Sequence, residues 1–230
     1  MKLNVPNRRE IIDRRDISER LTGADRKAMA AILKEALAAG RAEIARRLDE
    51  WPYAGTEAAA AYAFLADQIL RLAYDYVTLQ LHPRGNATTS ERLLMLGVGG
   101  YGRGEMALHS DVDIAFVTPW KPTPWTESAI EAILYLLWDL GLTIGHSTRS
   151  VDEVIRATLA DHTIRTALLE ARYVWGDEAL YDEIEARFWK DVVAGSVAGA
   201  RELAHEHVMH SFELLTTILE HVGSDWAAKA

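Results

Sequence analysis

The stretch Leu93–Thr118, LLMLGVGGYGRGEMALHSDVDIAFVT, decides the fold of this 230-residue chain. It opens with a continuous apolar run, Leu93–Val98, with the length and character of a strand buried on both faces. Glycines follow at 99, 100, 102 and 104, too densely for a sheet to continue, and Val112–Thr118 reads as a second strand. Alternation along that strand puts Asp111 and Asp113 on one face, with Val112 packed on the other. Two carboxylates so close repel each other and need a compensating cation. Mg²⁺ is the natural one, because it takes hard oxygen ligands and is shared with substrate phosphates. The Gly99–Gly100 turn removes side chains where a triphosphate must approach the backbone, and its N–H groups can hold phosphate oxygens. Together these features imply metal-assisted attack on the α-phosphate of a nucleoside triphosphate, with pyrophosphate leaving.

Outward from this stretch, the proline-rich segment Pro119–Pro124 forms a turn, and Glu127–Leu140 reads as a helix with Ile130, Ile133, Leu134, Leu137 and Trp138 facing inward. Gly141 stops that helix, and Leu142–His146 is a short third strand. Upstream, Ile32, Leu33, Leu37, Ile44 and Leu48 mark an amphipathic helix over Asp25–Glu50, which Trp51-Pro52 breaks. A second helix runs from Thr56 to Leu81, with Tyr62, Leu65, Ile69, Leu72 and Tyr76 along one stripe. The first twenty residues are dense in both charges and read as a solvated segment with a short helix. Beyond Ser150 every segment reads as helical: Val151–Leu159, Thr163–Trp175, Asp177–Val193 and Ala200–Val222, with Ser150 and Asp161 as N-caps of the first two. The expected fold is α+β: a small mixed sheet at 90–150 between an N-terminal helical region, 1–89, and a C-terminal one, 151–230.

Composition narrows the function. Zero cysteines exclude a disulfide scaffold, a thiolate zinc site and a cysteine nucleophile, and fit a reducing cytoplasm. No apolar run approaches the roughly 18 residues of a membrane span, and the start has no signal-peptide core. With 34 acidic against 25 basic residues the chain suits neither a nucleic-acid surface nor an RNA acceptor. Within the C-terminal region, His207 and His210 stand one helical turn apart, while His205 points elsewhere and no acid pattern completes a metal site. They read as solvated histidines.

The string Val98-Gly99-Gly100, ten residues, then Asp111-Val112-Asp113 resembles the nucleotidyltransferase superfamily typified by DNA polymerase β. The fuller GVGGYGRGEMALHSDVDIAFV, with LLWDLGLTIGHSTRSVDE and LLEARYVWGDEAL after it, resembles the bacterial PII uridylyltransferase/uridylyl-removing enzymes, over roughly residues 25–200. The resemblance implies a nucleotidyltransferase core with Mg²⁺ as cofactor, UTP as donor and a tyrosine of the PII nitrogen-signalling protein as acceptor. Residue by residue, Asp111 and Asp113 match the metal-binding aspartates and Gly99 and Gly100 the nucleotide-phosphate turn. Ser110 lies beside the metal pair. Arg103 either adds charge to a phosphate or forms a structural salt bridge, and Glu105 satisfies loop amides or pairs with an arginine.

Three departures qualify the resemblance. Superfamily members often carry a third carboxylate on a later strand, and Leu142–Ser147 has none; His146 is a candidate base or else a packed histidine, and Arg149 a phosphate contact or a surface residue. The family's uridylyl-removing hydrolase and glutamine-sensing ACT domains need more chain than this, and no His-Asp doublet of such a hydrolase occurs. Finally, residues 201–230 stop resembling the family. The expectations are therefore UMP transfer to PII or, alternatively, a catalytically silent fragment that binds nucleotide or PII, or adenylyl transfer to another acceptor.

Overall fold

The computed structural model describes residues 3, 5–84 and 89–194; the helix expected at Ala200–Val222, the divergent tail 201–230 and His205, His207 and His210 lie outside the described residues. The charged start forms two short helices, α1 (Arg8–Ile11) and α2 (Arg14–Leu21). Two long helices follow, α3 (Arg26–Glu50) and α4 (Gly55–Tyr76). Asp25 opens α3 by accepting from the Ala28 amide at 2.7 Å. A π-helical turn, Val77–Leu81, continues α4 to the break expected at His82.

The sheet then begins. Strand β1 (Leu94–Gly97) leads into the one-turn helix α5 (Gly99–Arg103), and β2 covers Val112–Thr118, the span read from its sequence. Helix α6 (Pro124–Asp139) starts at a Thr123 capping box, with proline in its first turn where no amide partner is needed. It is followed by β3 (Ile144–Ser150) and α7 (Val151–Ala160). Ser150 and Asp161 do cap the next two helices: Ser150 forms a capping box with Glu153, and Asp161 accepts from the Thr163 amide at 2.7 Å.

Four expectations need correction here. Trp138, expected to face inward from its helix, is exposed, and the charged start, expected to be solvated, buries Ile11, Ile12 and Ile17. The third strand lies at Ile144–Ser150 rather than Leu142–His146. Leu142 is buried ahead of the strand, and the ladder to β2 starts only when Val112 donates to Thr143. The helix expected over Thr163–Trp175 is a short helix α8 (His162–Leu169) followed by a fourth strand, β4 (Arg172–Gly176). Tyr173, Val174 and Trp175 are strand-favouring types, and antiparallel pairing with β1 overrides the helical reading of the preceding leucines. Helix α9 (Glu178–Ala194) completes the described chain.

The strand order is β3-β2-β1-β4, antiparallel except for the parallel β2/β3 pair, so the fold is α+β with a mixed sheet. Alternation sorts the strand side chains into two cores. Met95, Val112, Ile114, Phe116 and Val174 pack with α3, α4 and α6, while Leu94, Leu96 and Val117 pack under α7 and α9. The N-terminal helices thus share one hydrophobic core with the sheet. Among the described residues no helix is long and apolar enough to cross a membrane.

Candidate active site

The end of β1 and the start of β2 meet at one edge of the molecule. Val98 donates to the Asp113 carbonyl at 3.0 Å, which ties the glycine turn to the strand bearing the carboxylates. Gly99 has φ +59°, a backbone conformation that side chains other than glycine seldom adopt. It starts α5, and its N-cap, Val98, supplies no side-chain hydrogen bond to the first-turn amides. A Cβ at Gly99 would lie 3.5 Å from an Asp113 carboxylate oxygen, so turn and carboxylate are direct neighbours.

Asp113 is half-buried and Asp111, just before β2, is exposed, with Val112 buried between them. Burial pushes the Asp113 carboxyl above its ordinary range, and the nearby Asp111 charge pushes it the same way. Neither carboxylate makes an ion pair among the described residues. A raised, unpaired carboxylate beside a second one fits a hard divalent cation, with phosphate oxygens and water filling the remaining coordination. No group of three or more His, Asp or Glu side chains suited to a metal occurs among the described residues.

The parallel register between β2 and β3 pairs Asp113 with Gly145 and Ile114 with His146. A Cβ at Gly145 would overlap the Asp113 carboxylate, so only glycine leaves that side chain its place. The same register sets His146 on the opposite sheet face, where its ring stands 6.2 Å from that of Trp138 on α6. His146 is therefore not positioned as a base for chemistry at Asp113. The β3 residues that share the Asp113 face are Gly145, Ser147 and Arg149. Arg149 is half-buried and makes no ion pair among the described residues.

The remaining loop residues stabilise the turn. Ser110, next to Asp111, accepts from the Ala107 amide at 2.8 Å. Arg103 donates to Glu105 and to Glu170, both at 2.8 Å, so its guanidinium already has two carboxylates. Glu105 thus pairs with an arginine, one of its two expected roles. Behind the turn lies a network with no local sequence signature. Asp67 of α4 accepts from both terminal nitrogens of Arg172 on β4, at 2.6 and 2.9 Å, and from the Tyr101 hydroxyl at 2.7 Å. Arg172 also donates to the carbonyls of Tyr101 and Gly102, both at 3.2 Å. All three side chains are buried. The loop is therefore clamped between an N-terminal helix and the edge strand.

Comparison with known proteins adds the decisive observation. The chain is 55% identical over 199 residues to the bifunctional uridylyltransferase/uridylyl-removing enzyme of Novosphingobium aromaticivorans, covering 84% of this chain and 22% of that protein. It is 48% identical over 215 residues to the enzyme of the same name from Erythrobacter litoralis, covering 90% and 23%. This chain is homologous to one region of the bifunctional uridylyltransferase/uridylyl-removing enzymes. The Rhodospirillum rubrum uridylyltransferase agrees, at 51% over 166 residues, covering 72% of the chain and 18% of the relative. The chain spans about a fifth of the length of these uridylyltransferases. No protein-family model matches it.

Proposed function

We propose that this chain is a Mg²⁺-dependent nucleotidyltransferase that moves UMP from UTP to a tyrosine hydroxyl of the PII protein. The observation that carries the reading is the seating of the Asp113 carboxylate between the Gly99 turn and Gly145, two residues after Asp111. Homology to enzymes named uridylyltransferases supports the choice of nucleotide, and the resemblance to the PII-modifying family supports the acceptor.

In this reading Asp111 and Asp113 hold Mg²⁺, which supplies positive charge to the triphosphate and to the departing pyrophosphate. Gly99 and Gly100 let the phosphates approach the backbone, Ser110 holds the loop that delivers Asp111, and Arg103 either keeps its carboxylate partners or turns to the phosphates. The acceptor oxygen attacks the α-phosphorus, the bond to the bridging oxygen breaks, the phenolic proton is released and pyrophosphate leaves. The Asp67–Arg172–Tyr101 network fixes the turn, so the phosphate contacts are set before substrate arrives.

The test is incubation of the chain with PII, Mg²⁺ and labelled UTP, with ATP as a parallel donor. Label should reach PII from UTP, and the Asp111→Asn variant should lose it. Retained UTP binding with no transfer refutes the catalytic reading, and label from ATP alone refutes the choice of nucleotide.

A further inference from the structure

A cavity of about 590 Å³ opens between the N-terminal arm, α4 and the edge strand β4. None of Gly99, Gly100, Asp111 and Asp113 lines it, so it is not the nucleotide site. Its wall carries three arginines, Arg8, Arg71 and Arg172, against one carboxylate, Asp67. Just behind, Arg14 and Arg71 both stack on Trp175, 4.6 and 5.2 Å from the ring centroid, and the buried Nη1 of Arg14 has no hydrogen-bond partner among the described residues. Asp75, which accepts from the Trp175 indole at 2.6 Å, offsets Arg14 and leaves the excess at two positive charges.

These cations are not all satisfied by the fold. Arg172 is spent on Asp67, but Arg71 stands 3.9 Å from the same carboxylate and has one short bond among the described residues, from Nε to the Val174 carbonyl at 2.9 Å. Burial depresses the Arg71 pKa, against the pull of the nearby Asp67 carboxylate. Gln68 is 6% exposed and lines the cavity, yet its amide has no partner among the described residues. Its polar atoms are not sealed from solvent, so they can bond what enters the cavity. Phe64 and the rings of Tyr173 and Tyr181 give the cavity an apolar side, since both hydroxyls are committed elsewhere, to Gly176 and Glu185.

We propose that this cavity binds a small dianion with an apolar portion, a phosphate ester or a dicarboxylate, held by Arg71, Arg8 and the Gln68 amide. Because Arg172 forms part of the wall and also holds the Tyr101 and Gly102 carbonyls, a ligand here would sit directly behind the glycine turn.

The test uses the chain itself at constant ionic strength, titrated by calorimetry with inorganic phosphate, with succinate and with chloride. At least one dianion should bind saturably where chloride does not, and the better of the two identifies the chemistry. Arg71→Gln and Gln68→Leu should each weaken that binding about tenfold or more, while Asp111→Asn leaves it unchanged. Should Arg71→Gln fail to fold, Gln68→Leu decides alone, because the glutamine gives up no hydrogen bond to the described residues. Dianion binding no better than chloride, full affinity in Gln68→Leu, or loss of binding in Asp111→Asn would each overturn the proposal.

Discussion

Gly145→Ala separates the geometry of the carboxylate from the stability of the sheet. The new methyl would overlap one carboxylate oxygen of Asp113 and stand 3.4 Å from its carboxyl carbon, and the next nearest atom is the Asp113 Cα at 3.9 Å. The least costly relief is rotation of the Asp113 side chain, since both strand backbones are held by the β2/β3 ladder. A turn of about 30° off a rotamer costs roughly 0.5–1.5 kcal/mol. Replacing a strand glycine by alanine returns roughly 0.5–1 kcal/mol through the less flexible unfolded chain. The two terms nearly cancel, so urea denaturation should show a change within about 1 kcal/mol. Function should not be spared. A ligand carboxylate moved off its position loses metal affinity or activity by an expected tenfold to hundredfold, as when groups that orient metal ligands are removed. Mg²⁺ titration of UTP binding and of UMP transfer reads this directly. Unchanged Mg²⁺ dependence and turnover in Gly145→Ala would falsify the placing of Asp113 at the metal. A stability loss of several kcal/mol would instead mean that the side chain cannot turn and the ladder itself gives way.

Other perturbations address the clamp, the charge pair and the loop. Asp67→Asn leaves Arg172 buried without its counter-charge and should destabilise the chain by about 3–5 kcal/mol in urea; a loss under 1 kcal/mol would mean that the clamp is not structural. The Asp113 carboxyl is raised above its ordinary 3.8, so its protonated form favours folding at low pH and that contribution is lost as pH rises through the folded pKa. In metal-free buffer Asp113→Asn should therefore raise Tm at neutral pH, with the gain vanishing near pH 3 and shrinking when Mg²⁺ is added; a gain independent of pH would contradict the assignment. Arg103 gives a two-variant test. With two carboxylates already on its guanidinium, Arg103→Ala and Glu170→Gln should change the KM for UTP alike, whereas a rise only in Arg103→Ala would assign it to a phosphate.

Much of the molecule was legible along the chain because its signals are local. The alternation VDIAFVT marks β2 residue for residue, and Ser150 with Glu153 three positions on marks the start of α7. The glycine turn and the Asp111/Asp113 pair stand out for the same reason: both ends of the signal lie within fifteen residues. Strand β4 was misread because leucines precede it at helical spacing, although Tyr173, Val174 and Trp175 carried a strand signal that could have found it. Gly145 gave no such signal, since a glycine in a short apolar run says nothing about which side chain lies across from it.

The sequence by itself determined most of the elements and the chemistry they can hold: where oxygen ligands cluster, where the backbone is bare, and where apolar stripes run. Tertiary structure decided which of these residues meet. The β2/β3 register puts Gly145 rather than His146 beside Asp113, and a one-residue shift would have exchanged the two faces. Asp67 and Arg172, 105 residues apart, lock the turn between α4 and β4 only because the sheet closes on the N-terminal helices. The physical reason is the same in each case. Propensity and alternation act over a few neighbouring residues, whereas strand register and buried charge pairing are fixed by packing the whole core at once.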